Sequence, residues 1–315
     1  MFKSRHFLLC TVLVLILVLT GTGIVASFEV VCEDGNAQFS LLDDEHTQAL
    51  SVDALDIAGN DSFEAVSRLR TVTLSDWVGE LESIAAGDEL VLNLFSDASY
   101  VAAIDRVLTD VNDTLCIRGR LQGYPAGYVI LSYNDREGAY ASIEVPEEGR
   151  QYRLFKGEGE LYYVAELHPD KMDAQPDGPD TVPPAPSREE EAEIAALQAY
   201  MATSTLGPDD PATVDVMIVY TPAAEADAVG YGGINNCIMQ AMMTGQTVMD
   251  NSDTSVTLRL VHSARVDYIE SGSLITDRDR LRSTTDGIMD EVHQWRDEYG
   301  ADLVALLVDA DTDPA

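Results

Sequence analysis

Gly127-Tyr128-Val129-Ile130-Leu131-Ser132-Tyr133-Asn134-Asp135-Arg136-Glu137-Gly138-Ala139-Tyr140-Ala141-Ser142-Ile143-Glu144-Val145 is the stretch that decides the fold of the first half of this chain. Val129, Leu131 and Tyr133 alternate, as do Ala139, Ala141, Ile143 and Val145, and a period of two is the mark of a strand with one buried face. Asn134-Asp135 and Gly138 sit between the two runs as turn residues, so the pair reads as a β-hairpin. The same period extends outward in both directions, over Glu89 to Phe95, Tyr100 to Leu108, Thr114 to Leu121, Gln151 to Phe155 and Glu160 to Leu167. Gly123-Tyr124-Pro125, Pro146 with Gly149, and Lys156-Gly157-Glu158-Gly159 punctuate these runs. Successive hairpins in one antiparallel meander are the economical arrangement. Before them, Phe28 to about Ser83 is acidic and weakly periodic, with Phe63 to Leu69 and Leu74 to Leu81 reading as short helices or irregular structure.

After His168 the composition breaks. Pro169, Pro176, Pro179, Pro183, Pro184 and Pro186 fall in a short acidic stretch that can hold neither a ladder nor a helix. Ser187-Arg188-Glu189-Glu190 is a capping box for a short helix ending near Met201, and Gly207-Pro208-Asp209-Asp210-Pro211 breaks the chain again. Residues 169–212 therefore read as a Pro-rich linker, exposed to proteolytic nicking. Beyond it Val214 to Tyr220 is an apolar strand. Ile234, Cys237, Ile238, Ala241, Met242, Val248 and Met249 recur at three and four, which predicts a helix with those residues on one face and Asn235, Asn236 and Gln246 largely outside. Val256 to Leu260 alternates as a strand, Leu274 to Ser283 and Gly287 to Tyr299 read as helices, and Leu303 to Val308 as a strand. Strands alternating with helices predict a mainly parallel sheet with helical cover. The expected fold is α+β overall: a β-rich antiparallel N-terminal domain over 28–168, then an incomplete α/β domain over 213–315.

With 315 residues, 46% hydrophobic and 23% charged, the chain is long enough for two cores and too apolar for disorder. Its formal net charge of −36 excludes a general affinity for nucleic acid or anionic membrane, both of which demand clustered Lys and Arg. Lys3, Lys156 and Lys171 are the only lysines. An acidic, lysine-poor surface is solvated by default, and it also suits work in high salt, where screening removes self-repulsion. Residues 1–27 carry Lys3, Arg5 and His6, an apolar run from Phe7 to Leu19 and small residues from Thr20 to Ser27, the order of a secretory signal peptide with Val25-Ala26-Ser27 as the cleavage site. Retained, the same segment extended through Gly21 to Ala26 would serve as an N-terminal membrane anchor. Export is the expectation. Cys10 leaves with the signal, and Cys32, Cys116 and Cys237 show no metal spacing; Cys116 and Cys237 read as small buried hydrophobes. Asn60-Asp61-Ser62 and Asn112-Asp113-Thr114 match the glycan-acceptor pattern.

A zinc peptidase helix needs two histidines one turn apart and a glutamate beside the first as general base. His6, His46, His168, His262 and His293 contain no such pair. His293 has only the carboxylates of Asp290 and Asp297 one turn away, and it reads as a surface histidine paired to one of them. His262 ends a strand without a partner. Nucleophile elbows, phosphate loops and dinucleotide turns are missing as well. Asp309, Asp311 and Asp313 alternate like part of a calcium loop, yet no turn glycine or closing glutamate follows, and they read as a solvated acidic end. No catalytic, cofactor-binding or metal residue is assigned.

Three segments nevertheless carry a resemblance: Val214-Asp215-Val216-Met217-Ile218-Val219-Tyr220-Thr221-Pro222-Ala223-Ala224, Asp286-Gly287-Ile288-Met289-Asp290-Glu291-Val292-His293 and Tyr299-Gly300-Ala301-Asp302-Leu303-Val304-Ala305-Leu306-Leu307-Val308. Together they resemble the start of reprolysin-like metzincin zinc metallopeptidase domains, most of all the peptidyl-Asp metallopeptidase group, over about the last 100 residues. The resemblance implies a catalytic domain in which a His-Glu-x-x-His-x-x-Gly-x-x-His helix follows these segments, with three histidines on zinc and the glutamate polarising its water. None of those positions occurs in this sequence, so the catalytic domain is expected to be truncated before its zinc motif.

The resemblance implies a secreted zinc metalloendopeptidase precursor: a signal peptide at 1–27, a propeptide-like domain at 28–168 in contact with the catalytic part, and protein or peptide substrates. Zinc is expected for the full family domain and none for these 315 residues, which are expected to be inactive. The alternative reading is a non-catalytic extracellular binding protein that keeps the metzincin scaffold. A third is that the β-rich domain is itself a binding module.

Overall fold

Between Glu89 and Leu167 the alternating runs become seven consecutive strands of one sheet: β4 (Glu89–Phe95), β5 (Ala98–Thr109), β6 (Leu115–Leu121), β7 (Tyr128–Asn134), β8 (Gly138–Val145), β9 (Arg150–Lys156) and β10 (Tyr162–Leu167). Each pairs antiparallel with the next. The computed structural model describes residues 38–50, 66–75, 84–157, 161–168, 195 and 211–309. The expected signal peptide, Cys32, Asn60, residues 76–81 of the Leu74 to Leu81 stretch, and the expected linker apart from Ala195, Pro211 and Ala212 lie outside that range.

Three earlier strands complete the sheet: β1 (Gln38–Ser40), β2 (Leu42–Leu50) and β3 (Val66–Leu74). The order is β1-β4-β5-β6-β7-β8-β9-β10-β3-β2, ten strands among the described residues. β1 runs parallel to β4, which makes the sheet mixed. β1 and β2 stand at opposite ends of this order, yet Leu41 alone separates them in sequence. Leu41 donates its N–H to Val91 O (2.9 Å) on one side and accepts from Ser75 N (3.2 Å) on the other, so the sheet curls until its two ends meet. Leu41, Leu90, Leu92, Leu94, Ile143, Tyr152 and Leu154 fill the interior of this closed sheet and are fully buried. Each buried leucine contributes about 1.5–3 kcal/mol.

The last part holds three parallel strands, β11 (Ala212–Tyr220), β12 (Val256–Arg265) and β13 (Leu303–Leu307), in the order β12-β11-β13. Four helices accompany them among the described residues: α1 (Pro222–Asp227), α2 (Ile234–Asn251), α3 (Leu274–Arg282) and α4 (Asp290–Tyr299). Val216, Met217, Ile218 and Val219 of the central strand are all buried, since both faces are covered. Among the described residues no helix is long and apolar enough to cross a membrane.

Several expectations are overturned. The fold is mostly β and not an even α+β combination, because a ten-stranded mixed sheet outweighs everything else. Among the described residues no mainly parallel metzincin-like α/β domain is present: the parallel sheet has three strands, and α2 turns its second face to the large sheet. Of the stretch Phe63 to Leu69, expected as short helix or irregular structure, the described residues Val66 to Leu69 are strand. Val66, Thr71, Val72 and Thr73 favour an extended backbone, and Val66–Leu74 pairs antiparallel with β10. The helix expected from Gly287 starts at Asp290, since Met289 takes a left-handed φ of 57°.

Candidate functional site

Helix α2 has to satisfy two neighbours at once. Ile234 and Ile238 pack with Val216, Ile218 and Leu260 of the parallel sheet. One step round the helix, Met239 and Met243 pack with Cys116 of β6 and Ile130 of β7 on the outside of the large sheet. This cover explains the burial of strands β6 and β7, where alternation gives way to four consecutive buried residues. It also corrects the helix face drawn from sequence. Asn236 and Gln246 are buried, whereas Val248 is 57% exposed. Asn236 donates to Gly232 O (2.6 Å) and Gly138 O (3.1 Å); Gln246 donates to Val256 O (3.0 Å) and accepts from Leu258 N (2.8 Å).

The helix begins without a capping side chain of its own. Its N-cap is Gly233, preceded by Gly232, both at positive φ (95° and 85°). A Cβ on Gly232 would meet Tyr140 at 2.6 Å and one on Gly233 would collide with Glu137, so glycine is required twice for the close approach as well as the backbone. Glu137, in the β7–β8 turn, supplies the missing cap. Its carboxylate accepts from Asn235 N (3.2 Å), Asn235 Nδ2 (2.7 Å) and Asn236 N (3.1 Å). A carboxylate there also meets the positive end of the helix dipole.

Cations gather at the other end. Arg118, 4% exposed, reaches from β6 to Asp250 (2.6 Å) and Thr247 (3.1 Å) while its other edge is held by Asp105 (2.8 and 3.0 Å). Arg106 reaches Asp250 at 3.2 Å, and Arg120 donates to Asn251 Oδ1 at 2.9 Å. Burial opposes the Arg118 charge, but the Asp105 and Asp250 carboxylates more than offset it and raise its pKa. Burial likewise works against the Asp250 carboxylate, yet hydrogen bonds from Gln246 and Arg118 and the charges of Arg106 and Arg118 hold it below the usual aspartate range. Between the two ends Gln240 accepts from Ser142 Oγ (2.8 Å) and donates to Ile130 O (3.1 Å).

Cys116 is fully buried at the centre of this contact, and burial pushes its thiol far up; burial likewise pushes Cys237 up to about 12. Asn112, of the glycan-acceptor pattern, instead donates to Ser263 Oγ of β12 (2.7 Å).

The two histidines of the last part are not brought together. His262 lies flat on Tyr299 (centroids 3.9 Å apart, planes at 6°) with Trp295 edge-on at 6.0 Å, and burial lowers its pKa. His293 lies 2.9 Å from Ser283 O through Nε2, a main-chain partner in place of the expected carboxylate. Asp309 donates its N–H to Glu270, which also accepts from Thr221, while Asp311 and Asp313 lie outside the described residues. Among the described residues no three His, Cys, Asp or Glu side chains are grouped to hold a metal. The described residues do not fit a catalytic zinc.

By sequence the chain is related to metalloendopeptidases. It is 32% identical over 189 residues to a peptidyl-Asp metalloendopeptidase of Stenotrophomonas maltophilia strain R551-3, covering 59% of this chain and 42% of that protein. The strain K279a protein of the same name is 31% identical over 175 residues, 55% of this chain and 39% of the relative. A third, from Pseudomonas aeruginosa, is 34% identical over 107 residues, 34% of this chain and 17% of that protein. The chain thus spans about two-fifths of the length of the first two. Such enzymes use a metal, zinc in general. No family model matches. A chain from a solved structure of a chaperone–substrate complex aligns at a TM-score of 0.27 and 15% identity, over 30% of this chain and 80% of that one, too low to relate the folds.

Proposed function

We propose that this chain is the N-terminal portion of an exported zinc metalloendopeptidase precursor related to the reprolysin-like peptidases. Residues 1–27 act as the signal, 28–168 as the propeptide-like part, and Thr213 onward as the opening of the peptidase part. Its substrates are proteins or peptides, with cleavage directed by aspartate as the relatives' name implies. The observation that carries this reading is identity of 31–34% to proteins called peptidyl-Asp metalloendopeptidase, extending over as much as 59% of the chain. The sheet laid along α2 supports it, because a propeptide has to touch the part it accompanies. On this reading the zinc-binding helix that the resemblance implies follows the segments held in this chain.

The test is to read the gene beyond the codon for Ala315 and express what it encodes. A continuing frame with three histidines, and chelator-sensitive cleavage of aspartate-containing peptides by its product, is the expected outcome. A stop codon after Ala315, or a product that leaves such peptides intact with zinc supplied, sinks the peptidase reading and favours the extracellular binding protein. The lack of any metal-competent group among the described residues is the observation behind that second reading.

A further inference from the structure

We propose that the outward face of β5 to β8 is a docking surface for α2 that accepts the helix in one polarity, so that residues 38–168 and 211–309 remain a non-covalent pair when the stretch between them is cut.

Three observations carry this. Among the described residues the cores of the two parts are separate: one fills the closed sheet, a smaller one around Tyr140 and Phe155 belongs to the same sheet, two flank the parallel sheet, and the small cluster of Cys116, Ile130, Met239 and Met243 alone spans the contact. Around that cluster the contact is made of hydrogen-bonded and charged groups, the make-up of surfaces that meet after each side has folded. The charges are also ordered along the helix. Glu137 meets the amides of Asn235 and Asn236 at one end, and Arg106, Arg118 and Arg120 meet Asp250 and Asn251 at the other. These ends lie roughly 27 Å apart for 18 residues of helix. Reversing the helix would place Asp250 against Glu137 and the free amides against arginines, so both ends would repel. A helix of different sequence but with bare N-terminal amides, flexible apolar side chains such as methionine at its middle and a carboxylate in its last turn would satisfy the same surface. Among the described residues α2 is the helix seated there.

A long proline-rich tether in general raises local concentration without fixing orientation. The contact itself fixes it.

The full chain carrying a site-specific protease sequence inserted between Pro183 and Pro184 tests this without any peptidase activity, so its failure is distinct from failure of the functional reading. After cutting, the two fragments are expected to co-elute on size exclusion, with Cys116 resistant to alkylation in the native pair. In the cut Glu137→Ala/Arg118→Met double variant they are expected to dissociate at least tenfold more weakly bound, with Cys116 alkylated at least tenfold faster. Circular dichroism of the uncut double variant confirms that both parts still fold; if they do not, cut Glu137→Gln, which keeps the side-chain shape, is expected to weaken the pair at least threefold. Separation of the wild-type fragments on cutting, or variant fragments bound as tightly as wild type, overturns the proposal.

Discussion

The carboxylate of Glu137 accepts the backbone N–H of Asn236 at 3.1 Å across 99 positions of sequence, so a turn of the large sheet closes the start of a helix that begins on two glycines.

Removing that cap has a definite size. Glu137→Ala leaves the amides of Asn235 and Asn236 without their protein partner, and loss of a capping side chain costs about 1 kcal/mol. Thermal unfolding should drop by roughly 2–4 °C for a folded unit of this length. Glu137→Gln, which keeps one accepting oxygen, should lose less. Equal losses in the two variants would mean that charge alone, and not the hydrogen bonds, holds the helix end.

Arg118→Met strips a buried cation from between Asp105 and Asp250. Hydrogen bonds to charged groups are worth about 1.5–3 kcal/mol, so stability at neutral pH should fall by about 2 kcal/mol. Asp250 adds an acid signature. Its carboxyl is held below the ordinary value in the folded protein, so its contribution is complete above about pH 4 and is lost as the pH falls through the folded value. Urea unfolding followed downward from neutral pH should decline less steeply below about pH 4 in Arg118→Met than in wild type. Parallel acid limbs would remove the Arg118–Asp250 pair from the account.

These 315 residues should hold no catalytic zinc. His262 is stacked on Tyr299 and His293 is engaged with Ser283 O, and among the described residues neither belongs to a group of three His, Cys, Asp or Glu side chains that could hold a metal. Zinc added in equimolar amount should be lost on dialysis against a mild chelator, with the same result in His262→Ala and His293→Ala. Stoichiometric retention would reveal ligands outside the described residues.

A net charge of −36 predicts that the melting temperature rises between low and molar salt as like-charge repulsion is screened. A flat profile would show that ion pairs such as Arg118–Asp250 lose as much to screening as the surface gains.

Export predicts a mature protein lacking about the first 25 residues. Intact mass of protein recovered from the medium decides it; retention of Met1 would point to an anchor.

How far these features could be read in advance depends on how local their causes are. The strands between Glu89 and Leu167 were legible because Leu90, Leu92 and Leu94, or Ala139, Ala141 and Ile143, answer to a single buried face. Val66 to Leu74 was not, since it is held between β2 and the sequence-distant β10 and its own text mixes Arg68 and Arg70 among the apolar residues. The reach of α2 was misjudged for a related reason. Periodicity finds one apolar face, but Asn236 and Gln246 are buried by hydrogen bonds to backbone that only the fold brings near. Glu137 in a turn and Arg118 in a strand look like solvated charges. One signal was available: Gly232-Gly233 before Ile234 leaves a helix with no capping side chain, which implies that the cap comes from elsewhere. The parallel α/β expectation failed because strand and helix order says nothing about which surface the second face of a helix will meet.

The junction at Leu41 bears on how the protein resists association with itself. Outermost strands are the usual templates for intermolecular pairing, since their free amides and carbonyls invite another backbone. Here β1 and β2 are tied through one residue whose N–H and C=O are spent on Val91 and Ser75. Prising that single residue out would expose both seams together, so a substitution such as Leu41→Asp should reveal itself as aggregation of otherwise native chains before any loss of the sheet's spectrum.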